Sequence, residues 1–201
     1  MGTAMATAQL AEQPAVDLKA GLIISPPGSI NLLKDKDGLP GAEDFAQPVE
    51  LSDYTFSFDM AFEDDPGEGG DHPLRFAAIR VGSTDLCLAV SPERKFLLED
   101  PDYNLTVASA GPTKAGQKTS VAVSVKRDAK QALSSWWVDG VEQAAFPVAP
   151  GKGALEALVV GGMELRAGIV SNIRLYNRAL ARPEIIALSQ CTAAQAWRAA
   201  G

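Results

Sequence analysis

The sequence predicts an all-β protein, a sandwich or barrel of antiparallel strands with a short helix at its C-terminal end. Two observations carry this prediction. Short runs of alternating apolar and polar residues recur along the chain, and clusters of Gly, Pro and Asp separate them. Helical spacing appears only near the end of the chain, where Ile185 and Leu188 stand three residues apart and so share one face.

The clearest predicted strand is the segment 54–62, in which apolar residues occupy every second position. A half-covered sheet buries every second side chain, so this alternation is typical of a strand. The segments 121–125 and 169–175 repeat it, with Ile169, Ile173 and Leu175 on one face. Weaker patterns predict further strands at 16–24, 74–81, 86–90, 95–98, 105–108, 134–138, 141–146 and 155–161. Long polar connections are expected at 34–48, 63–73, 99–104 and 110–118.

A hairpin and two helical pieces complete the prediction. Asp139-Gly140 lies between apolar runs and predicts a two-residue turn, because both central positions of such a turn need positive φ. Pro183 is acceptable in the first turn of a helix, and Thr192 could cap a last Ala-rich segment. We expect these helical pieces to close the edge of the sandwich.

Composition excludes several classes of partner. The chain has 201 residues, and 18 Lys and Arg against 25 Asp and Glu give a net charge of −7. Phosphate backbones need clustered cationic side chains, so nucleic acid and anionic membranes are poor partners. The sequence lacks the roughly 18 continuous apolar residues that a membrane span requires.

The chain is expected to form one domain over residues 15–201, since no linker is long enough to separate two cores. Residues 1–14 are expected to be a disordered segment or a remnant added for expression, because they lack the basic and apolar regions of a signal peptide. Cys87 and Cys191 could form one disulfide or remain two buried thiols. We favour the thiols, because a sandwich of this size does not need a covalent cross-link.

Three elements resemble laminin-G-like domains of the concanavalin A-like lectin and glucanase family. The segment 136–141 resembles the family's apolar-aromatic-Val-Asp-Gly turn, and 158–162 resembles its hydrophobic-x-hydrophobic-Gly strand. The segment 168–188 resembles its closing strand, which carries Tyr-Asn-Arg-Ala-Leu before a short helix. Order and spacing agree, and the resemblance covers residues 50 to 190.

This resemblance implies a two-sheet antiparallel jelly-roll sandwich, with Phe56, Phe58 and Ile173 projecting into a shared interior. Members of the family bind carbohydrates or proteins, often as accessory modules that are extracellular or at the cell surface. Enzymes share the same broad fold, so the fold leaves the function open.

A dense acidic loop at residues 63–72 is the first candidate site. Several carboxylates on a Gly-rich loop suit calcium, a hard cation that takes 6–8 oxygen ligands. The predicted ligands are Glu63, Asp64, Asp65, Glu68 and Asp71. The alternative is a solvated acidic loop that keeps the protein soluble. Calcium is the one cofactor that the sequence indicates.

The same loop resembles the catalytic Glu-x-Asp-x-x-Glu string of laminarinase-type glycosidases at Glu63, Asp65 and Glu68. A retaining glycosidase needs two carboxylates about 5–5.5 Å apart, which such enzymes hold on a rigid strand. Pro66-Gly67 interrupts the string here and favours a loop over a strand. The sequence therefore favours a protein without catalysis.

Aromatic and histidine side chains supply the other candidates. Trp136 and Trp137 are adjacent on a strand, so they face opposite sides of the sheet. Trp137 could offer a flat face to a sugar ring; alternatively both rings are covered. His72 is the only histidine, which excludes sites that need two, and it adjoins Asp71.

Together these observations predict a non-catalytic, lectin-like module that binds carbohydrate through Trp137, Asp71 and His72, with or without calcium. A structural or protein-interaction domain within a larger assembly is the alternative. A laminarinase-type glycosidase is the third possibility.

Overall fold

The structure is a computed structural model, and it describes residues 16–18, 22–24, 28–31, 50–62, 72–101, 104–114, 116–127, 132–148, 152–162 and 168–198. Within these ranges the strands form two antiparallel sheets of seven strands each, and a single helix follows them. The predicted all-β jelly-roll sandwich with a C-terminal helix is confirmed.

Chain order gives fourteen described strands and one helix. They are β1 (Val16–Leu18), β2 (Leu22–Ile24), β3 (Gly28–Asn31), β4 (Glu50–Leu51), β5 (Tyr54–Phe62), β6 (Leu74–Val81), β7 (Thr84–Val90), β8 (Lys95–Asp100), β9 (Leu105–Pro112), β10 (Thr119–Arg127), β11 (Ala132–Val138), β12 (Val141–Val148), β13 (Gly153–Gly162), β14 (Gly168–Tyr176) and α1 (Arg182–Arg198). Sheet A has the order β1-β14-β5-β10-β11-β12, and β2 also pairs with β14. Sheet B has the order β3-β13-β6-β7-β8-β9, and β4 also pairs with β13.

The core lies between the two sheets and is rich in aromatic side chains. Phe56, Phe58 and Ile173 are buried there, as predicted. Phe76 of sheet B meets Phe58 and Phe96 edge-on, with ring centroids 6.1 and 5.7 Å apart. Edge-to-face packing brings the positive rim of one ring to the negative face of the next. These contacts tie the sheets into one interior.

The strand predictions agree closely with the structure where alternation is regular. Predicted strands 54–62 and 74–81 have the observed bounds of β5 and β6. The strand predicted at 16–24 is observed as β1 and β2, which both pair antiparallel with β14, and residues 19–21 lie outside the described ones. Strands β3 and β4 were not predicted, because segments of 4 and 2 residues are too short to show a period. The predicted connection 34–48 lies outside the described residues.

The hairpin between β11 and β12 has the predicted turn. Asp139 and Gly140 both have positive φ, 50° and 75°. Two hydrogen bonds of 2.8 Å fix the turn to β10: the Asp139 N–H donates to the carbonyl of Ser120, and the Ser120 N–H donates to Asp139 Oδ1. Hydrogen bonds to β10 therefore stabilise the turn in addition to the pairing of β11 with β12.

Helix α1 departs from the prediction in place and length. It is one continuous helix with Thr192 inside it, and it packs on the outer face of sheet A rather than at an edge. Ala181 has no side-chain acceptor for the first turn, but Glu184 Oε2 accepts the Ala181 N–H at 2.8 Å. Arg178 binds both oxygens of Glu184, which lowers the pKa of that carboxyl.

Cys87 is a free, buried thiol, so the free-thiol alternative is confirmed for this residue. Burial raises the pKa of the Cys87 thiol. Within the described part of the chain, no helix combines the length and apolarity needed to cross a membrane.

Candidate functional site

The acidic loop belongs to the part of the chain that the structure leaves undescribed. Residues 63–71 include every predicted calcium ligand, the glycosidase-like string and Asp71, so these assignments stay predictions. The loop joins the end of β5 in sheet A to the start of β6 in sheet B, and exposed His72 lies just before β6. Elsewhere, among the described residues, no three His, Cys, Asp or Glu side chains are grouped to hold a metal ion.

The two adjacent tryptophans face opposite sides of sheet A, as predicted. Trp136 is buried in the core between the sheets. Trp137 points to the outer side, where it is only 4% exposed because Ile185 and Leu188 of α1 pack there with Tyr176. Of the two alternatives for Trp137, an open sugar platform or a covered ring, the structure has the covered ring, because helix α1 lies over it.

The outer side of sheet A beneath α1 is called the helix-covered face. It contains the apolar cluster of Ala122, Trp137, Tyr176, Leu180, Ile185 and Leu188. Beside that cluster lies a buried polar row on β5, namely Thr55, Ser57 and Asp59. Asp59 is 2% exposed, and its Oδ2 accepts a hydrogen bond from Asn172 Nδ2 at 2.7 Å and pairs with Lys118 Nζ at 2.9 Å. A buried charge needs such partners.

A bulge in β14 supplies one of these partners. Asn172 has a φ of 50°, and the pairing of β14 with β5 shifts register between Ser171 and Arg174. Val170 and Ile173 are three residues apart and both lie in the core with Leu175, because the bulge adds a residue between them. The side chain of the predicted Ile169 lies outside those that the structure describes. Sequence reasoning missed Asp59 and Asn172. The signal was a lone Asp in the otherwise uncharged segment 54–62.

The outer side of sheet B has a different composition and is called the ion-pair face. Arg75 and Arg80 are five residues apart on β6, so in a regular strand they would face opposite sides. A bulge between Arg75 and Ala77 turns both outward. Arg75 lies opposite Ala89 and Arg80 lies opposite Asp85 on β7. One extra residue therefore places both guanidinium groups on one surface.

Each of these arginines is paired with a carboxylate on the same face. Arg80 Nε and Nη2 donate to the two oxygens of Asp85 at 2.7 and 2.6 Å. Arg75 Nε donates to Glu99 Oε2 at 2.7 Å and so reaches from β6 across β7 to β8. The arginine side chains remain 62% and 52% exposed, for Arg75 and Arg80 respectively. Arg80 is held in a fixed plane by two parallel hydrogen bonds to Asp85, whereas Arg75 is held to Glu99 by one, and both guanidinium groups stay accessible.

Small side chains form the floor between the two ion pairs. Ala78 lies opposite Cys87, and Ala89 follows on the same side of β7. Cys87 and Ala89 are only 7% and 0% exposed, so this face presents to solvent the guanidinium groups that lie over the small side chains. The exposed hydrogen-bonding groups are the part of the face that suits a polar ring.

Comparison with known proteins supports the fold alone. The chain matches no family profile and no curated protein. It is similar in structure to the carbohydrate-binding module CBM40 of the IT-sialidase from Ruminococcus gnavus, described as bound to α2,3-sialyllactose. The TM-score is 0.60 at 15% identity, covering 88% of this chain and 99% of that one.

Two further solved structures share the architecture. A heptameric SAP-like pentraxin from Limulus polyphemus has a TM-score of 0.60 at 12% identity, covering 88% of this chain and 84% of the pentraxin. A sialidase from Trypanosoma rangeli has a TM-score of 0.58 at 17% identity, covering 86% of this chain. This chain spans only 27% of that sialidase chain. The likeness shows the jelly-roll sandwich fold.

Proposed function

We propose that the protein is a non-catalytic carbohydrate-binding module and that it binds an uncharged saccharide on the ion-pair face. The observation that carries the proposal is the two exposed arginines of one sheet face, each held by a carboxylate in the couples Arg75–Glu99 and Arg80–Asp85. The similarity to a carbohydrate-binding module supports the fold that this function needs.

The hydrogen-bonding capacity of each couple matches that of sugar hydroxyls. A guanidinium has five N–H donors, and Arg80 uses only two of its nitrogens on Asp85. A carboxylate accepts about four hydrogen bonds, so Asp85 also retains capacity. A sugar hydroxyl both donates and accepts. Two neighbouring hydroxyls can therefore bind one couple without breaking it.

The charge balance of the face selects for a neutral ligand. Two guanidinium groups are matched by two carboxylates within 2.7 Å. An acidic sugar would have to displace Glu99 or Asp85 from its arginine, which costs a charge-assisted hydrogen bond. We therefore expect binding of neutral oligosaccharides to change little with salt concentration.

Calorimetric titration tests this proposal. Laminarihexaose, cellohexaose and N-acetyllactosamine serve as neutral probes, and α2,3-sialyllactose serves as the acidic one. Arg80→Met should weaken binding of the best neutral probe at least tenfold, while Lys126→Met on sheet A serves as the matched control and should leave it unchanged. No binding to any probe, together with a stable oligomer by light scattering, would favour the structural or protein-interaction alternative.

The finer assignments rest on the sequence. We propose a laminin-G-like module, because the 136–141 hairpin and the 168–188 closing segment resemble that family. From the same resemblance we propose one domain over residues 15–201 and an extracellular or cell-surface location. Detection of the folded module at the cell surface or in the medium of its source organism would test the location.

We also propose that calcium assists binding through Glu63, Asp64, Asp65, Glu68 and Asp71, with Asp71 and His72 contacting the ligand at the rim. The support is the carboxylate density of the segment. Calcium that binds only the folded state raises the melting temperature. Millimolar calcium added after chelator treatment should raise it in the parent chain and not in Asp65→Asn/Glu68→Gln. An unchanged melting temperature in the parent chain would rule out the proposed calcium site.

A further inference from the structure

The two ion pairs of the ion-pair face are repeated along the strands with the same polarity. In both couples the guanidinium belongs to β6, and the carboxylate belongs to a strand on the same side of β6, namely Asp85 on β7 and Glu99 on β8. The face therefore has charged donors along one flank and charged acceptors along the other. A ligand built from repeated units of one orientation matches this order, because each unit presents the same groups to its couple.

The register of the strands gives the spacing between the couples. One couple ends at Asp85 on β7. The other begins at Arg75, which lies opposite Ala89, and ends at Glu99, which lies opposite Cys87. Cys87 and Ala89 are two and four residues from Asp85 along β7. At a rise of about 3.3 Å per residue, the second couple therefore lies about 7 to 13 Å from the first along the strand.

This spacing exceeds the length of one sugar ring. With bonds of about 1.5 Å, a pyranose ring together with its linking oxygen extends about 5 Å. A monosaccharide therefore contacts only one couple, whereas about two or three linked rings reach both. Once one couple holds such a chain, the other binds it intramolecularly, at the high effective concentration that the linkage imposes.

Both couples are accessible to a chain that lies along the strands. The side chains of Arg75 and Arg80 are 62% and 52% exposed. Between them on β6, Phe76 and Ala77 lie in the core, so Ala78 is the one residue of this strand that shares their face. Because the Ala78 side chain ends at its Cβ, no bulky β6 side chain separates the two guanidinium groups.

We propose, on the basis of the proposed function, that the ion-pair face binds a linear, neutral oligosaccharide laid along β6 and β7 and long enough to contact both couples at once. Each couple forms one subsite, and the chain between them provides the gain in affinity. Arg75 and Arg80 therefore determine the length of the ligand as well as its hydrogen bonding.

Chain length is the variable that tests the two subsites. Glucose, and cello- and laminari-oligosaccharides of two to six units, are titrated calorimetrically into the parent chain. We expect affinity to rise at least about tenfold between glucose and the trisaccharide and to change less than about twofold from four units to six. An affinity that stays flat from one unit to six, or that rises steadily up to six, would overturn the two-subsite arrangement and leave the proposed function standing. If no hexasaccharide binds, both fail.

Two variants then separate the subsites. Arg75→Met and Arg80→Met each leave one couple intact, and Lys126→Met on sheet A is the matched control. We expect the trisaccharide to bind either arginine variant no more than about threefold more tightly than glucose does, while the control keeps the full dependence on length. A full rise with chain length in either arginine variant would overturn the proposal, because one couple alone would then account for binding. Circular dichroism checks that the variants fold, and the length series on the parent chain needs no variant.

Discussion

The two outer faces of the sandwich differ in the exposure of their polar side chains. On the helix-covered face, Asp59 is buried with Asn172 and Lys118 as partners, and α1 lies over the neighbouring aromatic rings. On the ion-pair face, Arg75 and Arg80 hold their carboxylate partners while remaining largely accessible. Both faces therefore have ordered polar groups, but only one presents them at the surface.

This difference predicts that the helix-covered face stabilises the fold and that the ion-pair face binds the ligand. Buried polar groups contribute to folding only when they are fully partnered, so changes on the helix-covered face should cost stability. Exposed ion pairs contribute little to folding, so changes on the ion-pair face should alter binding alone. The following measurements test whether stability and binding are separated between the two faces in this way.

The largest effect is expected at Trp137. Trp137→Ala removes a buried ring from the cluster under α1 and should lower the free energy of unfolding by about 3–5 kcal/mol. Trp137→Phe keeps most of the ring and should cost clearly less. Chemical denaturation followed by circular dichroism measures both changes. A loss below about 1 kcal/mol for the alanine variant would mean that α1 contributes little to the fold.

Thr55 should come next, because its hydroxyl joins β5 to the segment that leads into α1. Thr55→Val leaves the buried Leu180 N–H without its acceptor and should cost about 1–3 kcal/mol. Thr55→Ser keeps the hydroxyl and serves as the control. Equal stability of the valine and serine variants in denaturation curves would show that the hydroxyl does not hold the helix entry.

Gly140 tests the contact between the hairpin and the helix. Gly140→Ala adds a Cβ 2.6 Å from Ser189 Oγ and requires alanine at a φ of 75°. The backbone term should cost about 1–2 kcal/mol, and the clash should add to it. In a Ser189→Ala background the clash is relieved while the backbone cost remains. If both backgrounds lose the same stability, the contact with α1 is not tight.

Asp139 gives a smaller and pH-dependent effect. Burial raises the pKa of Asp139, and the nearby Asp59 adds to the rise, while the hydrogen bond from Ser120 opposes it. A raised carboxyl pKa means that the native state is favoured at low pH and loses this contribution as pH rises through the raised value. Asp139→Asn should therefore stabilise the protein by less than about 1 kcal/mol at pH 7.

That gain should shrink as pH falls through the raised pKa of Asp139 and vanish below the ordinary pKa of a carboxyl, because the parent side chain is then protonated and resembles the amide. Thermal melts of both proteins at pH 7 and pH 3.5 measure the difference. An equal gain in stability at both pH values would show that the ionised Asp139 carboxylate does not destabilise the native state.

The smallest effect on stability is expected on the ion-pair face. Arg80→Met removes an exposed guanidinium and should leave the denaturation midpoint unchanged, while it weakens sugar binding. Arg75→Met removes the ion pair with Glu99 that spans β7. It should likewise leave the denaturation midpoint unchanged and weaken sugar binding. A clear drop in midpoint for either variant would contradict the division between stability and recognition.

The sandwich could be predicted from local patterns. Apolar and polar residues alternate without interruption along β5, and Asp139-Gly140 is a residue pair that tolerates the positive φ of its turn. The position of α1 could not be predicted. Spacing shows that Ile185 and Leu188 share a face, but it does not say which surface receives them. The ion-pair face was missed for a related reason: alternation alone places Arg75 and Arg80 on opposite sides, and only the observed bulge unites them.

The same bulge decides which side chains the ion-pair face contains. A strand's side-chain period is two, so the same residues paired without the bulge would turn Arg75 toward the interior while Arg80 stayed outside. Deleting the one residue between Arg75 and Ala77 would instead leave the two arginines four residues apart and both outward, because the deletion removes the bulge and the extra residue together. A shortened strand, a change usually tolerated only in loops, would here conserve the chemistry of the surface.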